Sequence, residues 1–437
     1  SDMNELKTTT ETVDVGAIPE PGQWLPLKSG ELDTMFNDAK QAYDAAKTAY
    51  ATRDAWLPKW RHNYDCKKRP SLSKFPLTDA DGNGRSLRIH IPVVRTVVNG
   101  YVAQVTDAVF GNEDLWYADP ENEEDEERSR RAMAYQNLWA RKLSKFSTVY
   151  DELMRRTAVD GTAFLYVPWR KEKRYCPANP LDMQSRGSDS IIYDGPKPEV
   201  VPCDKLRIWP TVTTDPQDDI VTHIFHERDL SRSELMKGIK SGRYRLPKGT
   251  DPAVLDSDSS GANGIKPSRY KAVDTYMDVS VGGQEIGIVL TWLVDYDLMV
   301  GAVVSPTGTW RPFIGFTPDP DMDGIRGVGI PQKIDGIERA ITQLAQQGLD
   351  IGTMAALLAS TPFVSVGSDL PTGKPFLGAP VLVNQGGVTF APPPSAAEQG
   401  SLLQLFWDMV QKSTGVNANF MGQVDDARPT ATEVNTV

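Results

Sequence analysis

The run from Gln332 to Leu358 limits what this chain can fold into more than any other stretch. Its apolar residues, Ile334, Ile337, Ile341, Leu344, Ile351 and Leu358, recur at steps of three and four, with Gly348 and Ala355 filling the remaining places. An α-helix lines such a pattern up as one seam for packing on other helices. Lys333, Asp335, Glu338, Arg339, Gln343, Gln346, Gln347 and Asp350 fall on the other faces. Pro331 stands just ahead, at a first helical turn, where a missing N–H costs nothing. At 1.5 Å per residue the predicted helix spans roughly 40 Å, long for a single-core element.

Thr361-Pro362 stops this helix, because the residue before a proline is driven out of the α region. Phe363–Val366 and Ala379–Val383 then read as short strands inside a segment rich in Gly and Pro. Pro392-Pro-Pro394 is a stiff spacer. Ser395-Ala-Ala-Glu398 has the capping-box form, and Leu402, Leu403, Phe406, Met409 and Val410 supply the stripe of a second helix. The succession is helix, compact β insertion, helix.

With Gly327-Val-Gly-Ile-Pro331 ahead of it, Thr361-Pro-Phe-Val-Ser365 within it and Arg428-Pro-Thr-Ala-Thr-Glu433 after it, this succession resembles the portal proteins of tailed bacteriophages, particularly the short-tailed ones. The resemblance implies an α+β subunit with a mixed α/β wing, two long stem helices and a small β-rich clip. Laid on this chain, it gives an N-terminal arm over 1–30 and a wing over 31–325, helical over 31–160 and sheet-rich over 161–325. The first stem helix falls at 326–358, the clip at 359–394 and the second stem helix at 395–421. Residues 422–437 become a channel loop and the start of a wing helix. The family continues into a long wing helix and often a crown, so a chain stopping at Val437 reads as a truncated core.

The same resemblance implies a ring, usually of twelve subunits, at one capsid vertex. Double-stranded DNA enters through it, driven by a terminase motor and without sequence specificity, and later leaves by it. The implied partners are further copies of the chain, the terminase large subunit, the major capsid or scaffolding protein and a head–tail adaptor. The implied location is the virion, with the host cytoplasm during assembly. Lys333, Arg339, Gln343, Gln347, Gln423, Asp425, Asp426 and Arg428 are the expected channel-facing residues. Phe363, Asp369, Lys374, Phe376, Asn384 and Gln385 are expected on the clip, facing motor or adaptor. Gly422 and Pro429 bound the predicted channel loop, since each interrupts a helix.

Composition narrows the rest. The chain has 437 residues, 40% hydrophobic and 24% charged, a globular balance with room for two or three cores. A net charge of −11 is ill suited to gripping phosphates, which takes clustered Lys and Arg, but it is compatible with a conduit along which DNA must slide. No window approaches the ~20 apolar residues of a membrane helix, and no signal peptide is visible. Cys66, Cys176 and Cys203 form no framework and read as inert thiols of a reducing compartment.

Catalytic signatures are few. The chain has no Walker-type phosphate loop, no H-E-x-x-H and no G-x-S-x-G. His223 and His226, three apart on a predicted strand, point to opposite faces. Asp319, Asp321 and Asp323 on one turn are the best candidate for a cation, and they define the alternative reading, a metal-dependent phosphoesterase. Ile330 stands where a calcium loop needs Glu, and in the similar loop at Asp79–Gly84 that position is His90. A further alternative is another tail or baseplate component. The expectation is no enzyme, no catalytic residue, no cofactor and no metal.

Elsewhere, helices are expected over Met35–Tyr50, after Pro92 with Val94, Val97, Val98, Tyr101, Val105 and Val109 inward, from the acidic run at Glu121 to Leu143, and over Ser147–Val159. Trp56–Tyr64 is an aromatic and basic helix end. Strands are expected at Thr162–Trp169, Val200–Trp209, Ile220–His226, Ala272–Val281, Gly287–Asp297, Val300–Val304 and Phe313–Phe316. Residues 170–200 read as an exposed loop, and Ser231-Arg-Ser-Glu234 as a capping box.

Overall fold

The computed structural model describes residues 20–25, 29–66, 90–111, 115–120, 122, 125–176, 188–246, 269–281, 284–322, 326–360, 363–365, 381–383 and 396–416. The fold is mixed α+β, and the chain forms two compact units. One comprises Ser1–Leu57 and Thr106–Val328, the other Pro58–Val105 and Gly329–Val437. Residues 58–105, assigned to the wing on sequence, thus group with the long helices.

The first unit is built on a five-stranded antiparallel meander of β5 (Leu206–Trp209), β6 (His223–Ser231), β7 (Arg269–Val281), β8 (Gln284–Leu293) and β9 (Leu298–Val304), adjacent in that order. Alternation along the strands turns Phe225, Val273 and Trp292 to one face, where α1 (Ser29–Asp54) covers them. The Tyr43 ring meets Phe225 edge-on at 5.3 Å and Trp292 at 5.8 Å, and Phe36 meets Trp292 at 5.8 Å. These are favoured aromatic geometries. Ala39, Ala46 and Tyr50 of the expected apolar face are buried with Tyr43.

A second antiparallel sheet orders β10 (Phe313–Phe316), β1 (Ala163–Tyr166) and β4 (Glu199–Pro202). Behind it lies α5 (Phe146–Asp160), which ends at Gly161 with φ 81, a left-handed conformation open to glycine. Before α5 come α4 (Glu126–Leu138) and a π-helical turn, Trp139–Leu143. The acidic start and basic sequel of α4 form i,i+4 pairs, Arg130–Glu126 at 2.9 Å and Arg131–Glu127. The capping box at Ser231 is present in full and opens α6 (Arg232–Lys240).

Three expectations are corrected. Residues 170–200 are not a loop, because β2 (Trp169–Cys176) and β3 (Ser188–Pro196) pair as an antiparallel ribbon. Exposed charges and Ile191 and Ile192 occupy the ribbon, so no period-2 burial pattern marks it in sequence. The single strand expected over Thr162–Trp169 is divided at Val167-Pro168 between β1 and β2. Val200–Trp209 likewise divides between two sheets, across a turn closed by the Lys205 N–H to the Pro202 carbonyl at 2.9 Å.

Buried charge ties α1 to the end of this unit. Asp54 accepts from Arg326 at 2.8 Å and from Arg207 at 3.2 Å, and Arg207 also pairs with Glu227. Arg326 is 2% exposed, lies 4.6 Å from the Tyr50 ring centre and donates to the Cys203 sulfur at 3.3 Å. The next residue, Gly327, donates its N–H to the Thr162 hydroxyl at 2.7 Å. A Cβ on Gly327 would sit 2.4 Å from the Gly161 carbonyl oxygen and 2.7 Å from that of Asp319. Close backbone approach therefore requires the first glycine of the Gly327–Pro331 motif.

The second unit is helical: most of α2 (Leu57–Tyr64), the greater part of α3 (Val93–Phe110), α7 (Ile330–Ser360) and α8 (Ala396–Thr414). Val93, Val94, Val97, Val98 and Val102 form the buried face of α3. Strands β11 (Phe363–Ser365) and β12 (Val381–Val383) lie between α7 and α8 in the chain and pair parallel, Phe363 opposite Val381.

Candidate functional site

α7 contains 31 residues, about 46 Å at 1.5 Å each, and packs against α8. Along its described side chains, Ile334 and Ile341 are fully buried, while Ile337 and Leu344 are half-buried. The opposite face is open and polar. Lys333, Arg339, Gln343 and Gln347, the four expected channel residues on this helix, are all exposed, together with Gln332 and Gly336. Arg339 reaches back one turn to Asp335 at 2.6 Å, and Asn63 of α2 donates to the same carboxylate at 2.8 Å. Lys59 approaches it at 3.9 Å.

One part of the sequence reading is overturned. Glu338 and Gln346 were placed on the polar faces, yet Glu338 is 0% exposed and Gln346 6%, with Thr342 between them at 4%. They stand four residues apart, beside the isoleucine seam, and widen the buried face of α7. His90 Nε2 lies 3.7 Å from a Glu338 carboxylate oxygen. A period count on apolar residues alone misses this buried polar stripe, beside which His90 comes in from a distant segment.

In α8, Val410 is fully buried, and Gly415 closes the helix at φ 69 with its N–H on the Gln411 carbonyl. Leu402 and Met409, expected on the inner stripe, are each 44% exposed and Leu405 is 53% exposed. Leu403 and Phe406 are half-buried. The helix thus retains an open apolar flank in the single chain.

Phe363 lies in β11. Asp369, Lys374, Phe376, Asn384, Gln385, Gln423, Asp425, Asp426 and Arg428 lie outside the described residues, as do Ser395 and the Asp79–Gly84 loop.

The carboxylates of the alternative site are partly described. The Asp319 carbonyl accepts from the Val328 N–H at 2.8 Å, Asp321 faces Arg53 at 3.4 Å, and Asp323 lies outside the described residues. Among the described residues no group of three or more His, Cys, Asp or Glu could hold a metal ion. No described helix is long and apolar enough to cross a membrane.

Sequence reasoning did not find a polar network on the face of the meander opposite α1. Arg228 on β6 clasps Asp274 on β7 through Nε at 2.5 Å and Nη2 at 3.1 Å, and Nη2 also donates to the Tyr244 hydroxyl at 2.6 Å. Thr291 on β8 donates to Asp274 at 2.6 Å. Burial pushes the Asp274 carboxyl upward, but Arg228 and the Thr291 hydrogen bond outweigh it and hold the group below its ordinary value. Beside it, His226 packs on Tyr166 at 5.2 Å and Phe313 at 5.5 Å. His223 lies on the other face, stacked on Phe225 at 5.9 Å. Burial lowers both imidazoles to about 4, with Arg311 adding to the effect at His223. No pattern in one strand announces such a network, because its members meet only through the register of three strands.

No family model matches the chain. No curated protein matches it either.

Proposed function

We propose that this chain is a portal subunit, forming a ring at a capsid vertex through which double-stranded DNA is packaged and later ejected. The observation that carries this reading is the succession of α7, the β11–β12 pair and α8, with an exposed polar face on α7. Lys333, Arg339, Gln343 and Gln347 line the bore. Amides and charges partly neutralised within the helix, as Arg339 is by Asp335, hold a passing phosphate backbone weakly. The apolar flank of α8 is buried against a neighbouring copy, and the segment containing β11 and β12 meets the terminase and later the adaptor.

The phosphoesterase alternative depends on Asp319, Asp321 and Asp323, and the pairing of Asp321 with Arg53 weighs against it. Sedimentation of the protein at assembly concentration tests the portal reading. A single closed species, many times the 48.2 kDa of one chain, is the expected result. A species that stays monomeric or dimeric at every concentration would overturn it.

A further inference from the structure

The β2–β3 ribbon is exposed on both faces. Residues 169–174 and 190–192 are open to solvent without a break, among them Trp169 at 66% and the apolar pair Ile191 and Ile192. Its base is held where Trp139 Nε1 donates to the Tyr193 hydroxyl at 3.1 Å and to the Pro196 carbonyl at 3.2 Å. A two-stranded ribbon with no third strand or helix along it is marginal in water. We propose that the outer end of this ribbon docks on a second copy of the chain, against the surface formed by Trp116, Tyr117, Asp119 and Asp125. The contact deepens the portal reading and rests on it only for the premise that copies meet.

Charge selects the partner. Residues 169–174 carry four cations and one carboxylate, in a chain whose net charge is −11. Toward the base these charges are engaged: Arg170 with Glu199 at 2.6 Å, Lys171 with Asp194 at 3.1 Å and Glu172 with Lys197 at 2.6 Å. Lys173 and Arg174, nearer the outer end, fall on opposite faces of the strand, and among the described residues neither is joined to a carboxylate. A surface that receives this end of the ribbon meets both cations, with Ile191 directly across from Lys173 and Ile192 bulged out beside it.

The receiving surface has the complementary make-up. Residues 119–127 carry seven carboxylates and no Lys or Arg. Glu126 and Glu127 pair with Arg130 and Arg131 within α4, whereas Asp119 and Asp125 pair with no cation among the described residues. Just ahead of them in the chain Trp116 and Tyr117 are exposed, Tyr117 to 77%. Asn137 fixes that backbone. Its side-chain oxygen accepts from the Leu115 and Trp116 N–H groups at 2.9 and 3.1 Å, and its amide donates to the Trp116 carbonyl at 3.2 Å. The aromatic pair is thus presented on ordered backbone, which lowers the entropy cost of docking. Exposed ion pairs add little affinity by themselves, so the isoleucines against the aromatic rings supply the attraction and the charges the choice of partner. The two patches differ, so unlike surfaces of identical chains meet.

Sedimentation over a concentration series tests this on the whole protein, with two charge-reversed variants. One carries Lys173→Glu with Arg174→Glu, the other Asp119→Lys with Asp125→Lys. Each alone is expected to raise the concentration for half-association tenfold or more. Mixed in equal amounts they are expected to associate as the wild type does, because every reversed ribbon then finds a reversed surface and every native ribbon a native one. Recovery on mixing also shows that both variants are folded. Either variant associating like the wild type, or a loss that mixing does not repair, would overturn this contact and leave the portal reading standing. A wild-type dimer that the variants dissociate and mixing restores would support the contact and overturn the portal reading. A wild-type protein monomeric at every concentration would overturn both.

Discussion

At the scale of single residues, buried charge is the most exposed to test. Asp274→Ala leaves the Arg228 guanidinium without its partner, and such losses cost about 3–5 kcal/mol. Adding Arg228→Met should restore part of that, because the unpaired charge is then gone. Urea unfolding of the two variants checks the order, and a double variant less stable than Asp274→Ala would contradict it. Gly327→Ala should also destabilise, since its Cβ would meet backbone oxygens that cannot step aside. Protonation adds a pH dependence. His223 and His226 titrate near 6.5 in the unfolded chain and at about 4 in the fold. As pH falls through 6.5 the unfolded state takes up protons first, so stability declines from there to about 4, by up to about 3 kcal/mol for each group. The urea midpoint should therefore drop from pH 7 to pH 5, and His226→Gln should flatten the drop. An unchanged slope in that variant would contradict the buried neutral imidazole.

At the scale of elements, legibility followed the chemistry of burial. α1, α3 and α5 were readable because their apolar residues repeat at about 3.6, although Val109 at the end of α3 is exposed; β8 and β9 were readable as continuous apolar runs buried on both faces, and α6 because Ser231 and Glu234 spell its cap. The β2–β3 ribbon was not, since exposure on both faces leaves no alternation to read. Glu338 and Gln346 were misread for the converse reason: they were taken for solvent-facing, while both are buried and His90, from a distant segment, lies 3.7 Å from the Glu338 carboxylate. The Arg228–Asp274 network needs three strands in register, which no local pattern encodes. The two faces of α7 give a direct comparison. Ile341→Ala should cost about 2–5 kcal/mol as a core truncation, whereas Gln343→Ala on the open face should stay within about 0.5 kcal/mol. Equal effects on thermal unfolding would mean the faces are wrongly assigned.

At the scale of the whole molecule, the proposed DNA-conducting ring would be built on a helix with one packed face and one open polar face, α7. In the proposed ring the open face of α7 would line the bore and the open apolar flank of α8 would meet a neighbouring copy. Leu405→Asp with Met409→Asp should therefore prevent assembly while leaving the single chain folded, as judged by circular dichroism and sedimentation together. An assembly untouched by the pair would place the subunit contact elsewhere. The most direct measurement is electron cryomicroscopy of the assembled particles. The account predicts a closed ring whose bore is lined by Lys333, Arg339, Gln343 and Gln347. A ring with those side chains on its outer surface, or particles without a through-going channel, would contradict it.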